Sequence, residues 1–372
     1  MSRGVERRFR SRIVRGGLTR AVGQICSALV IDPRTPILDL LATLGPGAAP
    51  SVSRDEAWRY VRGLASSHYE NFSVLSSLVP ERLRDDFASV YAFCRWADDL
   101  GDETGSDDAA RARSLELLEW WRSELHAAYA GSPRHPVFIA LRETIDRHHL
   151  PDRPFSDLID AFVQDQKVRA YATWAQVLDY CTRSANPVGR IVLMMAGHRP
   201  ETDDRHRFAM SDATCTALQL INFWQDVRRD LVERDRVYLP ALDTGITPEM
   251  LRAWMTPEAG RTPDVRLRYI RAVRPLVERT RLLFDEGAPL PGLVAPEIRP
   301  VIWLFGAGGR AVLSRVEAIG CTTLWQRPRL SKFTKASLVA RAWLMVRTGG
   351  FAGRSAGDSG RVALAGAQGG QR

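Results

Sequence analysis

Two groups of aspartates hold the most pointed chemistry in this chain. The first is Asp98-Asp99-Leu100-Gly101-Asp102, within YAFCRWADDLGDE. The second is Asp226 and Asp230, within LQLINFWQDVRRDLVERDRVYLP. In each group two carboxylates stand about one helical turn apart, so each pair projects from one helix face about 6 Å apart along the axis. Two acidic faces turned towards one cavity repel each other unless cations lie between them. Hard oxygen ligands of this kind suit Mg²⁺, which keeps several waters and bridges carboxylates to a substrate's phosphates. The spacing thus points to Mg²⁺-assisted departure of a diphosphate, with Asp98, Asp102, Asp226 and Asp230 as ligands.

Alone, DDLGDE reads more often as a solvated helix end or turn. The second segment is sharper. Gln219, Asn222, Asp226 and Asp230 fall on one continuous helical stripe,. Leu218, Ile221, Phe223 and Trp224 surround that stripe with apolar bulk. Surface helices turn charge away from such residues, so the stripe marks a buried, functional face, with Asn222 joining the aspartates as a metal ligand.

The elements that must position these groups are helices. Segments such as DEAWRYVRGLASSHY, SLELLEWWRSELHAAY and TCTALQLINFWQDVRRDL are helix-periodic, and no strand-plus-glycine nucleotide fingerprint is present,. Pro80, Pro136, Pro151, Pro154 and Pro240 mark helix junctions,. With 372 residues, 45% of them apolar, the chain can bury a large core. The pattern predicts one all-α domain, its helices packed around a deep central cavity. Residues 53–347 form that domain. Residues 1–52 read as an Arg-rich extension ending in the loose linker LGPGAAPSVSR, and residues 348–372 as a Gly/Ala-rich disordered tail,.

No apolar run is long enough to span a membrane, and no secretory signal is evident,. The five cysteines are dispersed, without metal or disulfide spacing, and read as reduced thiols of a cytoplasmic protein,. The formal charge of +9 is carried almost wholly by Arg, with Lys only at Lys167, Lys332 and Lys335. Such a bias reflects base composition, and without a nucleic-acid-binding motif it excludes nucleic acid as a partner.

From about Ser67 to Arg341 the chain resembles the squalene/phytoene synthase family. The resemblance rests on HYENFSVLSSLVPERLR, VYAFCRWADDLGDE, YCTRSANPVGR, LQLINFWQDVRRD and RVYLP, in that order. SANPVG and NFWQD stand where relatives carry VAG-x-VG and N-x-x-RD, variants that resemble the bacterial hydroxysqualene-forming branch of the family. The resemblance implies the isoprenoid synthase fold, with the acidic clusters at the cavity mouth. It also implies substrate contacts at His68, Tyr69, Asn71, Phe72 and Tyr91, although Tyr69 and Asn71 replace serines common in relatives.

Arg95, three residues before Asp98, has two readings: a bidentate grip on diphosphate, or a salt bridge to an aspartate of its own helix. Tyr180 matches a family tyrosine of the cavity wall, where a ring face can stabilise a cation. Arg183 replaces the family's next tyrosine. Asn186 lies beside the kink expected at Pro187, either holding an ordered water or solvated at a purely structural bend. Gln219 and Gln225 are read as substrate contacts. Gln225 stands where many relatives place an arginine on a diphosphate, a loss that a substrate with one diphosphate tolerates.

The expected reaction is conversion of presqualene diphosphate and water to hydroxysqualene, within squalene and hopanoid biosynthesis. Alternatives are head-to-head joining of two prenyl diphosphates, or a non-catalytic assembly factor of the same fold, which would lose the aspartates retained here. QRPRLSKFTKASLVARAWLMVR reads either as an anchor on the inner face of the cytoplasmic membrane or as a last helix packed on the core,.

Overall fold

A computed structural model describes residues 31–67, 78–201 and 204–347. The segment with His68, Tyr69, Asn71 and Phe72 lies outside the described residues, as does the tail from residue 348. The longer helices are α1 (Ile37–Leu44), α2 (Arg54–Ser67), α3 (Arg84–Asp102), α4 (Asp108–Tyr129), α5 (Pro136–His148) and α6 (Arg153–Lys167). They continue as α7 (Trp174–Ser184), α8 (Asn186–Met195), α9 (Arg205–Glu233), α10 (Pro263–Gly287), α11 (Arg299–Ala318) and α12 (Lys332–Arg347). Among the described residues the only β pairing is an isolated parallel bridge between Ala170 and Val237. The all-α expectation is borne out.

Helix ends follow local chemistry. Asp107 caps α4, its carboxylate accepting from the Ala110 amide at 2.8 Å. Thr173 and Gln176 close a reciprocal capping box on α7, the arrangement that satisfies two otherwise orphaned amides. Pro136 and Pro154 sit in the first turns of α5 and α6, where a missing N–H costs nothing. The chain breaks at Ala185 (φ −128°, ψ −50°), and Pro187 falls in the first turn of α8. Pro187 thus starts a new helix instead of bending a continuous one.

The first helix lies within the stretch read as an extension, yet Ile37, Leu40 and Leu44 are buried in the main apolar cluster. The packed body therefore begins before residue 53, while residues 45–53 of the linker carry no helix.

The acidic end of α3 is fixed by what lies behind it. Phe93, Trp96 and Leu100 are fully buried. Trp96 stacks on Trp121 at 5.3 Å, and its indole N–H donates to the Tyr60 hydroxyl at 2.9 Å, tying α3 to α2 and α4. One such stacked pair contributes about 0.5–1.5 kcal/mol beyond its buried area. The Gln166 side chain donates to the Gly101 carbonyl at 2.9 Å, holding α6 against the DDLGD turn. On the far side, a Cβ at Gly189 would lie 2.3 Å from Ser211 Oγ and 2.6 Å from Cys215 Sγ; only glycine lets α8 approach α9 this closely.

Candidate active site

A cavity of about 410 Å³ opens between α3, α6, α7 and α9. Asp98 and Asp102 line it from α3, and Asn222, Asp226 and Asp230 from α9. The two acidic motifs, more than a hundred residues apart in sequence, thus share one cavity. A larger groove of about 540 Å³ along α10, bordered by Arg268, Arg271 and Arg279, contains no residue of either motif.

Guanidinium groups stand between the carboxylates. Arg234 contacts Asp102 at 2.9 Å and Asp230 at 3.8 Å. Arg236 Nη1 donates to Asp102 Oδ1 at 2.9 Å. Arg327, from the segment preceding α12, grips both oxygens of Asp226 at 2.5 and 2.8 Å. The helix ladder is interrupted at Asp226 itself (φ −108°, ψ 15°). Burial is the leading influence on Asp230, lifting its carboxyl to about 7 against the pull of Arg234. Burial and then the neighbouring Asp102 also raise Asp98. Among the described residues no three His, Cys, Asp or Glu side chains converge as one coordination sphere. The donor set nevertheless fits a hard divalent cation: four carboxylates and an amide, all offering oxygen, and already balanced by positive charge.

Below the acidic rim sits an aromatic box. Tyr180, 3% exposed, donates to Asp165 Oδ2 at 2.7 Å, and Tyr238 donates to Asp165 Oδ1 at 3.2 Å. Phe223 stacks on Tyr238 with centroids 3.7 Å apart, and Tyr171 packs on both tyrosines at 5.6 Å. Burial pushes the Asp165 carboxyl up to about 6, opposed chiefly by Arg236. Stacked ring faces of this kind favour a cation.

Ser184 and Gln219 border this cavity and also a second one of about 200 Å³. The second is apolar, lined by Val188, Val192, Leu193, Leu218, Ile302 and Phe305 among others. An acidic cavity beside an apolar one suits a ligand with an anionic head and a hydrocarbon body.

Several expected site residues sit elsewhere. Arg95 takes the salt-bridge reading: its Nη2 lies 2.5 Å from Asp99, and it does not line the cavity. Asp99 is 5% exposed, and the other arm of the Arg95 guanidinium lies 3.7 Å from Asp98, so Arg95 stands just behind the cavity wall. Tyr91 packs against the main apolar cluster and borders neither cavity. Asn186 is buried, its Oδ1 accepting from Thr216 Oγ1 at 2.9 Å, and it also lines neither cavity. Gln225 lines the cavity and donates to the Pro328 carbonyl at 2.7 Å. Arg183 pairs with Asp179 at 2.6 Å. Sequence reasoning passed over Asp165, Arg234, Arg236, Tyr238 and Arg327. RVYLP held a usable signal, since the Val237 amide donates to the Arg169 carbonyl at 2.8 Å and sets Arg236 and Tyr238 beside the cavity.

The squalene/phytoene synthase profile matches residues 65–334. The chain is 37% identical over 174 residues to a hydroxysqualene synthase from Zymomonas mobilis, an alignment covering 46% of this chain and 55% of that enzyme. It is 31% identical to a phytoene synthase from Thermus thermophilus, covering 79% of this chain and 95% of that one. Among solved structures it resembles the squalene synthase HpnC from Alicyclobacillus acidocaldarius, with a TM-score of 0.62 and 41% identity over 72% of this chain and 95% of that chain. The chain therefore belongs to the squalene/phytoene synthase family of enzymes and has the isoprenoid synthase fold.

Proposed function

We propose that this enzyme converts presqualene diphosphate and water to hydroxysqualene with release of diphosphate. The observation that carries the reading is an acidic cavity adjoining an apolar one, with Ser184 and Gln219 in the wall of both. The names of its hydroxysqualene synthase relatives support the same product. Gln225 adds no charge to the mouth and is bonded to a backbone carbonyl, which favours a substrate with a single diphosphate.

Asp98, Asp102, Asn222, Asp226 and Asp230 would hold Mg²⁺. When bound, the metal supplies charge stabilisation for the departing diphosphate. Arg234, Arg236 and Arg327 line the same space and would meet the leaving charge with guanidinium donors,. Tyr180, Phe223 and Tyr238 offer ring faces to the carbocation left behind,. The apolar chamber keeps bulk water from that cation. Residues 53–347, joined by α1, form the catalytic domain in this reading.

The substrate and product are lipids, and α12 carries Lys332, Lys335, Arg341 and Arg347 with no acidic residue. Phe333 is 84% exposed on the same helix. We place this face on an anionic membrane surface.

Purified protein incubated with Mg²⁺ and presqualene diphosphate, and separately with farnesyl diphosphate, tests the reaction, with products identified by mass spectrometry. Hydroxysqualene from the first, abolished by EDTA, is the expected result. No turnover of presqualene diphosphate, with condensation of farnesyl diphosphate instead, would replace this reading with the head-to-head coupling one.

A further inference from the structure

The acidic cavity and the apolar chamber share two lining residues, Ser184 and Gln219. Both are polar, and both stand at the threshold where one environment gives way to the other. Ser184 is the last residue of α7, just before the break at Ala185. Its Oγ is shielded from solvent and has no hydrogen-bond partner among the described residues, a condition rare for a buried hydroxyl. Serines at helix ends commonly back-bond to a carbonyl of the preceding turn, as Thr182 does to Asp179 at 2.6 Å. Ser184 does not. Gln219, on the facing helix α9, brings an amide with two donors and an acceptor, and its side chain is likewise in no hydrogen bond among the described residues.

A small molecule of water needs two to four polar partners in an otherwise apolar place. Ser184 and Gln219 supply them in the wall that the two cavities share. Asn186 does not, because it lines neither cavity.

We propose that Ser184 and Gln219 position the water that captures the carbocation. The inference rests on the reaction proposed above. With the diphosphate among the aspartates and the hydrocarbon in the chamber, the carbon that loses the diphosphate lies at this threshold. The carbon–oxygen bond breaks and its electron pair leaves on the diphosphate. After rearrangement the cation accepts a lone pair from the water, forming the new carbon–oxygen bond. The resulting oxonium gives its proton to the departed diphosphate, so no oxidant or reductant is needed. Ser184 Oγ and the Gln219 carbonyl accept the two water hydrogens, which turns the oxygen lone pair towards the chamber. Without them the cation is left to lose a proton and become a hydrocarbon.

The test uses full-length enzyme with presqualene diphosphate in H₂¹⁸O, comparing wild type, Ser184→Ala, Ser184→Thr and Gln219→Leu. The readout is the ratio of ¹⁸O-labelled hydroxysqualene to elimination hydrocarbons among the products formed, which does not depend on total rate. Melting temperatures confirm that each variant is folded. In Ser184→Ala and Gln219→Leu the ratio falls at least about tenfold, the effect of one lost hydrogen bond of about 1.4 kcal/mol, while Ser184→Thr, which keeps the hydroxyl, restores it. Labelled alcohol from wild type with an unchanged ratio in either folded variant overturns the water-positioning role and leaves the proposed function standing. Absence of labelled alcohol from wild type overturns both.

Discussion

Arg327 grips Asp226 with both arms of its guanidinium, from a segment 101 residues further along the chain. The pair occupies both oxygens of a carboxylate expected to bind metal, so Arg327 must turn away before Asp226 can do so. Arg327→Gln should therefore raise affinity for Mn²⁺, a spectroscopic substitute for Mg²⁺, by about tenfold in the absence of substrate. The partial exposure of Arg327 (41% of its side chain) makes this an upper value. Titration followed by electron paramagnetic resonance measures it, and unchanged or weaker Mn²⁺ binding would contradict the competition.

Asp98→Ala and Asp226→Ala should each lower turnover at least about a hundredfold while leaving helicity intact. Neither side chain is part of the apolar core, so the loss is one of charge placement. Circular dichroism and steady-state rates at saturating Mg²⁺ separate the two effects. A variant with near wild-type turnover removes its helix from the metal site.

Asp165 binds two tyrosine hydroxyls and lies 3.5 Å from Arg236. Asp165→Asn keeps the shape but removes the charge that faces Arg236 and turns one acceptor into a donor. A stability loss of about 1–3 kcal/mol is expected from the mismatched hydroxyls, together with reduced turnover. Denaturant titration reads the first. No change in midpoint would mean that the tyrosines find other acceptors.

His135 gives a pH prediction remote from the site. It caps α5, its Nδ1 accepting from the Val137 amide, and lies 4.4 Å from the Trp96 ring. Burial holds its imidazole down at about 3. Below its ordinary value of about 6.5 the unfolded chain takes up a proton that the folded chain refuses. Stability is therefore full above about pH 6.5 and falls by about 1.4 kcal/mol per unit as pH drops from there towards 3. His135→Asn keeps a capping acceptor but cannot titrate, so its stability should depend less on pH between 6.5 and 4.5. Equal slopes for the two proteins would show that other groups govern acid unfolding.

Flotation with anionic liposomes tests the face of α12. Deleting the helix is a poor probe, because Ala342 belongs to the core and the preceding segment carries Arg327. Phe333→Ser combined with Trp343→Ser and Leu344→Ser removes exposed apolar groups instead. Recovery with liposomes should drop several-fold in that variant. Equal recovery, or none for the wild type, would leave α12 as a packing helix only.

Helices, their junctions at Pro136 and Pro154, and the two acidic turns were all legible in the sequence. These features depend on neighbours three to eleven residues away, within reach of helical periodicity. The same local reasoning placed Asn222, Asp226 and Asp230 on one stripe, and all three line the cavity. It left Arg95 with two readings, and tertiary packing pairs that guanidinium with the buried Asp99 and sets it 3.7 Å from Asp98. It left Asn186 either holding a water or solvated at a bend, whereas the break at Ala185 buries that side chain against Thr216 on α9. Asp102 finds Arg236 at a separation of 134 residues, and no local pattern encodes that partner. What the sequence by itself determined is which groups could do chemistry and which helices carry them. Which cation balances each carboxylate, which serine keeps an unpartnered hydroxyl, and where polar cavity meets apolar chamber were decided only when distant helices packed. Such partnerships follow from burial and the three-dimensional closeness of groups that the chain order keeps apart.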